Sequence, residues 1–250
     1  MKVKKGKAIV VTSGKGGTGK TTTVGALASC LASLGYKTLC LDCDVGLKNL
    51  DLSLGLADRT IYDFTDCLDG RKTLKEAMIA HPRIKNLYFL SAPTGIRPEN
   101  IDKEKMAEFI ENVKSEFDYC LTDSPAGLGA GFELASSGAD MAIIVATGDV
   151  SSIRDGQRAS AELVRMGIKK VRLLVNRVKP RLFKISRSNV DNIIDSVGAQ
   201  LIGLISEDEA VILSSNLEIP LVLYSKKRAA KQFMNVAKRI TGKRVPIGKV

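Results

Sequence analysis

A glycine-rich segment near the N-terminus has the residue types and the spacing that bind phosphate. It reads Gly14-Lys15-Gly16-Gly17-Thr18-Gly19-Lys20-Thr21-Thr22 and matches the pattern G-x-x-x-x-G-K-[ST]. Glycines let successive backbone N–H groups turn towards phosphate oxygens, and a helix that starts there adds the positive end of its dipole. The lysine of such a loop reaches the β- and γ-phosphates, and the hydroxyl after it ligates Mg²⁺. The segment therefore predicts an ATP and Mg²⁺ site, with Lys20 on phosphate and Thr21 on the metal.

Three aspartates stand where two apolar runs end. Asp42 and Asp44 follow one run, and Asp123 closes the run Tyr119-Cys120-Leu121-Thr122. Ligand sites in open α/β sheets lie beyond the carboxyl ends of the strands. Phosphoryl transfer needs one group that places the attacking water and another that holds the magnesium shell. The three aspartates are candidates for these tasks, and Asp123 has the position of a Walker B magnesium ligand.

Segments typical of strands and helices alternate along the chain, which places these residues at one edge of a sheet. The predicted strands are Ala8 to Ser13, Lys37 to Asp42, Leu87 to Ser91, Asp118 to Asp123, Met141 to Ala146, Val171 to Asn176 and Gln200 to Ile205. The predicted helices are Lys20 to Leu34, Asp102 to Ser115, Ser151 to Met166, Ser188 to Val197 and Lys226 to Ile240.

Several of the strand runs are continuously apolar, which is typical of parallel strands covered by helices on both faces. The alternation therefore predicts an α/β fold of the P-loop NTPase kind, with a doubly wound, mostly parallel sheet flanked by helices. We expect one P-loop ATPase domain over residues 1–242 and a short basic tail over residues 243–250.

The composition limits which cell compartment and which classes of partner are expected for the chain. The chain has 44% hydrophobic residues, five cysteines, one histidine and a formal charge of +11. No apolar run approaches the roughly 20 residues of a membrane-spanning helix, and an odd number of scattered cysteines is typical of reduced thiols in the cytoplasm. The positive charge is compatible with an anionic membrane face or with DNA, and the charge alone does not distinguish them. His81, beside Pro82, is expected at the surface.

The loop and the aspartate-bearing segments resemble those of the MinD/ParA ATPases, and most closely the MinD branch. Lys15 to Thr21 resembles the deviant Walker A loop of that family, with Thr18 where valine is more usual. Asp42 to Asp51 looks like the MinD switch I segment, and Asp123-Ser124-Pro125-Ala126-Gly127 matches its switch II. The resemblance covers roughly residues 8 to 245.

This resemblance implies roles for individual residues. Lys15 would cross the interface of an ATP-bound homodimer to the partner's nucleotide, and Asp44 would position the attacking water. Asp42 and Asp123 would belong with Thr21 to the magnesium site. The backbone N–H of Gly127 would meet the γ-phosphate, and Asn176 would contact adenine.

The resemblance also implies a biological role. Relatives of this kind place the division septum, and they meet regulatory partners of the MinC and MinE type through the helix start at Val150 to Asp155. MinD proteins usually end in an amphipathic helix that binds membrane, whereas Pro246 and Gly248 interrupt any helix here. The expected membrane contact is therefore a weak peripheral one on the inner face of the cell membrane.

Three alternatives stay open at this point. A ParA-type DNA-partitioning ATPase would suit the charge, but its switch I continues Asp-Pro-Gln-Gly where this chain has Asp44-Val45-Gly46-Leu47, so DNA is not the expected partner. A relative that places flagella would share the loop. An iron–sulfur carrier is suggested by Cys40 and Cys43, although strand alternation points these two side chains to opposite faces.

Overall fold

An eight-stranded sheet with helices on both faces organises the chain. The computed structural model describes residues 5–46, 48–57, 59–179 and 190–248. The strands are β1 (Lys7–Thr12), β2 (Thr38–Asp42), β3 (Ile79–Ala80), β4 (Leu87–Leu90), β5 (Tyr119–Asp123), β6 (Met141–Ala146), β7 (Val171–Val178) and β8 (Gln200–Ser206). Their order across the sheet is β3-β4-β2-β5-β1-β6-β7-β8. Each neighbouring pair is parallel except β3 with β4, so the prediction of a doubly wound, mostly parallel sheet is confirmed.

Helices connect the strands and cover them. They are α1 (Lys20–Ser33), α2 (Leu50–Leu54), α3 (Phe64–Leu68), α4 (Leu74–Ala77), α5 (Lys103–Glu116), α6 (Ala130–Ser136), α7 (Val150–Arg165), α8 (Val190–Val197), α9 (Glu209–Asn216), α10 (Leu221–Tyr224) and α11 (Arg228–Ile240). A short 3₁₀ turn spans Pro98–Asn100.

Two apolar layers form the core, one on each face of the sheet. Alternation along β1 sends Ile9 towards the layer under α1, α2 and α11, and sends Val10 towards the layer under α5, α6 and α7. Leu27 and Phe132 are fully buried representatives of the two layers. Because both faces are covered, the central strands are apolar throughout, as the continuous run of β6 indicated.

The predicted elements differ from the observed ones mainly at their ends, and the short helices α2, α3, α4, α6, α9 and α10 were not predicted. β3 was not predicted, because two residues show no periodicity. The helix predicted from Ser151 begins one residue earlier, because the carboxylate of Asp149 accepts the Ser152 N–H at 2.9 Å and caps it. In the helix predicted from Ser188, residues 188 and 189 lie outside the described residues, and the helix is present from Val190.

The surface position expected for His81 is wrong, since its side chain is buried against the end of α2.

The tail after α11 folds back against its own domain. The Arg239 guanidinium donates to the carbonyl of Val245 at 2.8 Å, of Pro246 at 2.6 Å and of Ile202 in β8 at 2.9 Å. Residues 243–248 form no helix. Within the described part of the chain, no helix has both the length and the apolar character needed to cross a membrane.

Candidate functional site

The glycine-rich segment forms a loop between β1 and α1 at the carboxyl edge of the sheet. Gly17 and Gly19 have φ angles of +77° and +93°, in the left-handed region that favours glycine. Gly19 is the N-cap of α1, so the loop opens directly into the start of a 14-residue helix. Backbone N–H groups at this point have no partner inside the helix and suit an anion.

Asn176, at the carboxyl end of β7, braces this loop. Its Nδ2 donates to the Thr18 carbonyl at 2.9 Å, and a Cβ on Gly19 would lie 2.4 Å from the same nitrogen. Only glycine at position 19 therefore leaves room for the brace. Asn176 and Thr22 also line a cleft of about 170 Å³. The adenine contact expected of Asn176 stays a prediction, and the brace is a second task that the sequence did not indicate.

Lys20 lies beneath the loop with a nearly buried amine. Its side chain is 7% exposed, and Nζ donates to the Ser13 hydroxyl at 3.1 Å. Burial lowers the pKa of the Lys20 ammonium, and the negative charges of Asp123 and Asp44 oppose that shift. A cation held in a largely dry site by one hydroxyl interacts strongly with an incoming phosphate.

Two carboxylates meet beside Lys20 because β2 and β5 are neighbours in register. Asp42 pairs with Asp123, and both residues are 1% exposed. Burial raises the pKa of Asp42 to about 7 and that of Asp123 to about 8, and each shift is opposed by hydrogen bonds. The backbone N–H of Asp44 donates to the Asp42 carboxylate at 2.9 Å. The backbone N–H of Leu50 lowers the pKa of Asp42, and the hydroxyl of Thr21 lowers that of Asp123.

These groups fit a divalent cation. Asp123 Oδ1 is a buried carboxylate oxygen without a hydrogen-bond partner, which is costly unless a ligand satisfies it. Carboxylate and hydroxyl oxygens are the ligands that Mg²⁺ prefers. Thr21, Asp42 and Asp123, the three residues predicted for the metal, are therefore brought together, and their role as ligands stays a prediction.

The raised carboxylate pKa values predict proton release when Mg·ADP binds. Since the folded pKa values lie above the unfolded value of about 3.9, these groups favour folding at low pH and lose that contribution as pH rises towards about 8. At pH 6.5 they hold protons that a cation would displace. We expect the binding enthalpy to differ between phosphate and Tris buffers at pH 6.5 and to converge at pH 9. Equal enthalpies at pH 6.5 would contradict the assignment of Asp42 and Asp123.

The two predicted switch segments flank the loop. Asp44 is half-buried, its backbone N–H donates to Asp42, and its Oδ1 accepts the Gly46 N–H at 3.3 Å. Gly127 has a φ of +91°, and a Cβ on Gly16 would lie 3.9 Å from Ala126. Switch II therefore runs alongside the loop, and the tasks expected of Asp44 and Gly127 stay predictions.

Lys15 lies on the start of α7 in its own chain. Its Nζ donates to the Ser151 hydroxyl at 2.8 Å and lies 3.4 Å from Asp149 Oδ1. Hydrogen bonds from Ser151, Thr147 and the Ser152 N–H, with the charge of Lys15, hold the pKa of Asp149 well below its usual range. Lys15 and Asp149 are both about half exposed, so the ion pair contributes less than about 1 kcal/mol. A stronger anion could therefore release Lys15 at little cost.

Sequence reasoning missed three neighbours of the loop. They are Ser13 under Lys20, Asp149 beside Lys15, and Asp155, whose backbone would clash at 2.4 Å with a Cβ on Gly14. Asp149 could have been identified as a helix cap, since aspartate is favoured there. Nothing in the sequence indicates that a cap 134 residues away contacts the loop.

Thr18 offers a stability test within the loop. Its hydroxyl is buried and has no hydrogen-bond partner. Thr18→Val removes that hydroxyl and keeps the side-chain shape, so we expect stabilisation of about 1 kcal/mol and a melting temperature higher by about 2–4 °C. Thr18→Ser, which keeps the hydroxyl and loses a methyl group, is the control and should destabilise. A lower melting temperature for Thr18→Val would show that the hydroxyl is satisfied in solution.

Comparison with known proteins agrees with this geometry. A family model described as the CobQ/CobB/MinD/ParA nucleotide binding domain matches residues 9–221. The septum site-determining protein MinD of Synechocystis sp. is 40% identical over 240 residues, which covers 95% of this chain and 90% of the relative.

Two solved structures are similar over nearly the whole chain. The MinC:MinD cell division protein complex of Aquifex aeolicus contains a chain with a TM-score of 0.90 and 38% identity, with coverage of 97% of this chain and 99% of that one. The Pyrococcus horikoshii MinD complexed with Mg-ADP has a TM-score of 0.81 and 28% identity, with coverage of 94% and 95%. The chain thus belongs to the MinD/ParA family of nucleotide-binding ATPases, and septum site-determining MinD proteins are among its relatives.

Proposed function

We propose that this chain is an ATP-hydrolysing switch that dimerises on ATP and directs placement of the division septum through partner proteins. The observation that carries the proposal is the convergence of Lys20, Thr21, Asp42 and Asp123 beside a second loop lysine, Lys15. Its relatives, the septum site-determining protein MinD and the MinC:MinD cell division complex, supply the biological setting.

The residues of the site divide the chemistry between them. Lys20 and the loop N–H groups would hold the β- and γ-phosphates, and Thr21, Asp42 and Asp123 would hold Mg²⁺. Bound Mg²⁺ would neutralise charge on the phosphates, which lowers the barrier to phosphoryl transfer. Asp44 would orient the attacking water, because it stands two residues after Asp42 on a half-exposed turn.

Lys15 would complete the site of a second subunit. In one chain it is held on α7 by contacts worth little energy, so a triphosphate presented by a partner could compete for it. A cation that enters from a partner subunit can accelerate phosphoryl transfer by roughly 10³–10⁵. Hydrolysis without that lysine should be slow, which suits a switch that persists in its ATP state.

The first test is removal of the Lys20 amine. We expect Lys20→Ala to abolish detectable Mg·ATP binding in calorimetry, since the buried cation is the main charge facing the phosphates. Lys37→Ala is the matched control, because Lys37 lies over the Phe117 ring, outside the loop. Retention of wild-type affinity by Lys20→Ala, or absence of a binding heat for the wild type, would overturn the proposed nucleotide site.

A partner of the MinC type would dock at the start of α7. Val150 is 77% exposed there, between Asp149 and Ser151, the two residues that hold Lys15. Movement of Lys15 to a second subunit would uncover these side chains, so the docking surface would report the nucleotide state. The experiment is capture of a purified MinC by the wild type and by Val150→Asp, each with ATP and with ADP. ATP-dependent capture that Val150→Asp abolishes supports this surface, and equal capture in ADP contradicts it.

A peripheral membrane contact is proposed on charge alone. The formal charge of +11 favours an anionic surface, while Arg239 ties the tail to β8. Co-sedimentation with anionic liposomes and, separately, with duplex DNA distinguishes the two possible partners. Binding to liposomes in ATP supports the membrane contact, whereas binding to DNA alone would favour a ParA-type role.

A further inference from the structure

The one histidine of the chain is buried against the end of α2. His81 follows β3 and is 7% exposed, and its backbone N–H donates to the Leu87 carbonyl at 2.8 Å. None of the roles proposed above uses this side chain. A buried imidazole needs partners for both ring nitrogens, and those partners decide what it does.

The hydrogen bonds of the ring require its neutral form. The backbone N–H groups of Arg83 and Ile84 donate to Nδ1 at 3.1 Å and 2.9 Å, so Nδ1 is an acceptor and carries no proton. Nε2 lies 2.9 Å from the Leu54 carbonyl, which can only accept, so Nε2 carries the proton and donates it. Protonation of Nδ1 would add an N–H that points at the N–H groups of Arg83 and Ile84.

Leu54 is the last residue of α2, the short helix that begins within the last residues of switch I. The backbone N–H of Leu50, the first residue of α2, faces the carboxylate of Asp42 and lowers its pKa. A helix of five residues is not stable by itself, so contacts at its ends decide where it lies. His81 holds one end of α2, and Asp42 lies at the other.

We propose that neutral His81 is a positioning residue for the nucleotide site: it fixes the C-terminal end of α2, and protonation of its ring releases that helix. The effect would pass through α2 to Asp42 and so to the magnesium site. This inference rests on the proposed function, because it assumes that Asp42 belongs to a nucleotide site.

The sign of the pH effect follows from burial. Burial lowers the pKa of His81, and the nearby Arg83 and Arg59 guanidinium groups act in the same direction, while the bond to Leu54 opposes them. The folded pKa is therefore below the unfolded value of about 6.5. We call the hydrogen bond from His81 to Leu54 the clamp on α2. The clamp is fully present above about pH 6.5 and is lost progressively as the pH falls below that value.

Nuclear magnetic resonance tests the protonation state without any nucleotide. Because the chain has one histidine, ¹⁵N-labelled imidazole gives one set of long-range ¹H–¹⁵N signals. We expect the tautomer with the proton on Nε2 and a titration midpoint below 6.5. A proton on Nδ1, or a midpoint at or above 6.5, would overturn the inference.

Two substitutions then separate the clamp from the local turn. The amide oxygen in His81→Asn can replace Nδ1 for Arg83 and Ile84, but the side chain is too short to reach Leu54. The longer His81→Gln can donate to Leu54 and does not titrate. At pH 7.5 we expect His81→Asn to raise the Kd for Mg·ADP roughly threefold to tenfold, the worth of one hydrogen bond, and His81→Gln to bind like the wild type.

The pH dependence of the Kd for Mg·ADP tests the clamp directly, because a merely structural role of His81 would not change it. Both proteins keep Asp42 and Asp123, so any pH effect of these aspartates is common to the wild type and His81→Gln. The wild type should therefore lose affinity for Mg·ADP between pH 7.5 and 5.5 more steeply than His81→Gln. Parallel profiles, or equal Kd values for all three proteins, would overturn the clamp. If the wild type binds no Mg·ADP, the proposed function fails, and the tautomer of His81 can still be judged.

Discussion

Asp44→Asn is expected to lower the rate of ATP hydrolysis roughly 10²- to 10⁴-fold, the usual contribution of a group that guides a proton in the transition state. Asparagine keeps an oxygen that can accept the Gly46 N–H, and the backbone N–H to Asp42 is unaffected. The turn should therefore persist while the negative charge near the water is lost. Affinity for Mg·ATP should change less than threefold, because the phosphates are held elsewhere.

Single-turnover phosphate release and calorimetry separate these two effects. The ATP complex of Asp44→Asn should also accumulate as a dimer in light scattering, since nothing resets it. Asp69→Asn is the control, because Asp69 lies after α3 and pairs with Arg71 at 3.1 Å on the surface. Hydrolysis by Asp44→Asn at the wild-type rate would remove Asp44 from the chemistry.

Lys15→Ala is expected to bind Mg·ATP yet stay monomeric, and to hydrolyse roughly 10³- to 10⁵-fold more slowly than the wild-type dimer. The monomer itself should hardly change, because Lys15 is half exposed and its contacts with Ser151 and Asp149 contribute little to folding. Size-exclusion chromatography with light scattering, in ATP and in ADP, measures the dimer. Lys169→Ala, at the opposite edge of the sheet, is the control.

Mixing two inactive variants decides whether Lys15 acts on its own nucleotide or on its partner's. A mixed dimer of Lys15→Ala with Asp44→Asn has one site with an intact Asp44 and a Lys15 donated by the other subunit. If Lys15 acts across the interface, the mixture should hydrolyse ATP faster than either variant alone. No recovery in a mixture that forms dimers would assign Lys15 to its own subunit.

The elements of the fold were largely predictable, because each depends on local pattern. The apolar runs of β1, β5 and β6 and the helical spacing of α1 and α11 appear in the sequence as they appear in the structure. The exceptions are short elements, namely β3 and the helices α2, α3, α4, α6, α9 and α10. β3 has two residues, and its pairing with β4 comes from tertiary contact alone.

The candidate site was predictable in its parts but not in its connections. Spacing identified the loop and placed Asp42 and Asp123 at strand ends. The two carboxylates come together because β2 and β5 are parallel neighbours in the sheet. The brace from Asn176 to Thr18 spans 158 residues, and no pattern of spacing or propensity indicates it. His81 was misplaced for the same reason, because a histidine beside a proline looks like a surface turn until α2 packs on it.

The sequence by itself determined the phosphate loop, the sheet and the family, since these depend on residue type, period and spacing within short windows. Only the tertiary structure decided which side chains restrain the loop and the switch segments. These restraints are contacts between separate elements: Lys15 with Asp149 and Ser151, Lys20 with Ser13, and His81 with Leu54. The order of the strands in the sheet and the packing of the helices determine which residues meet. Both depend on residues distributed over the whole chain.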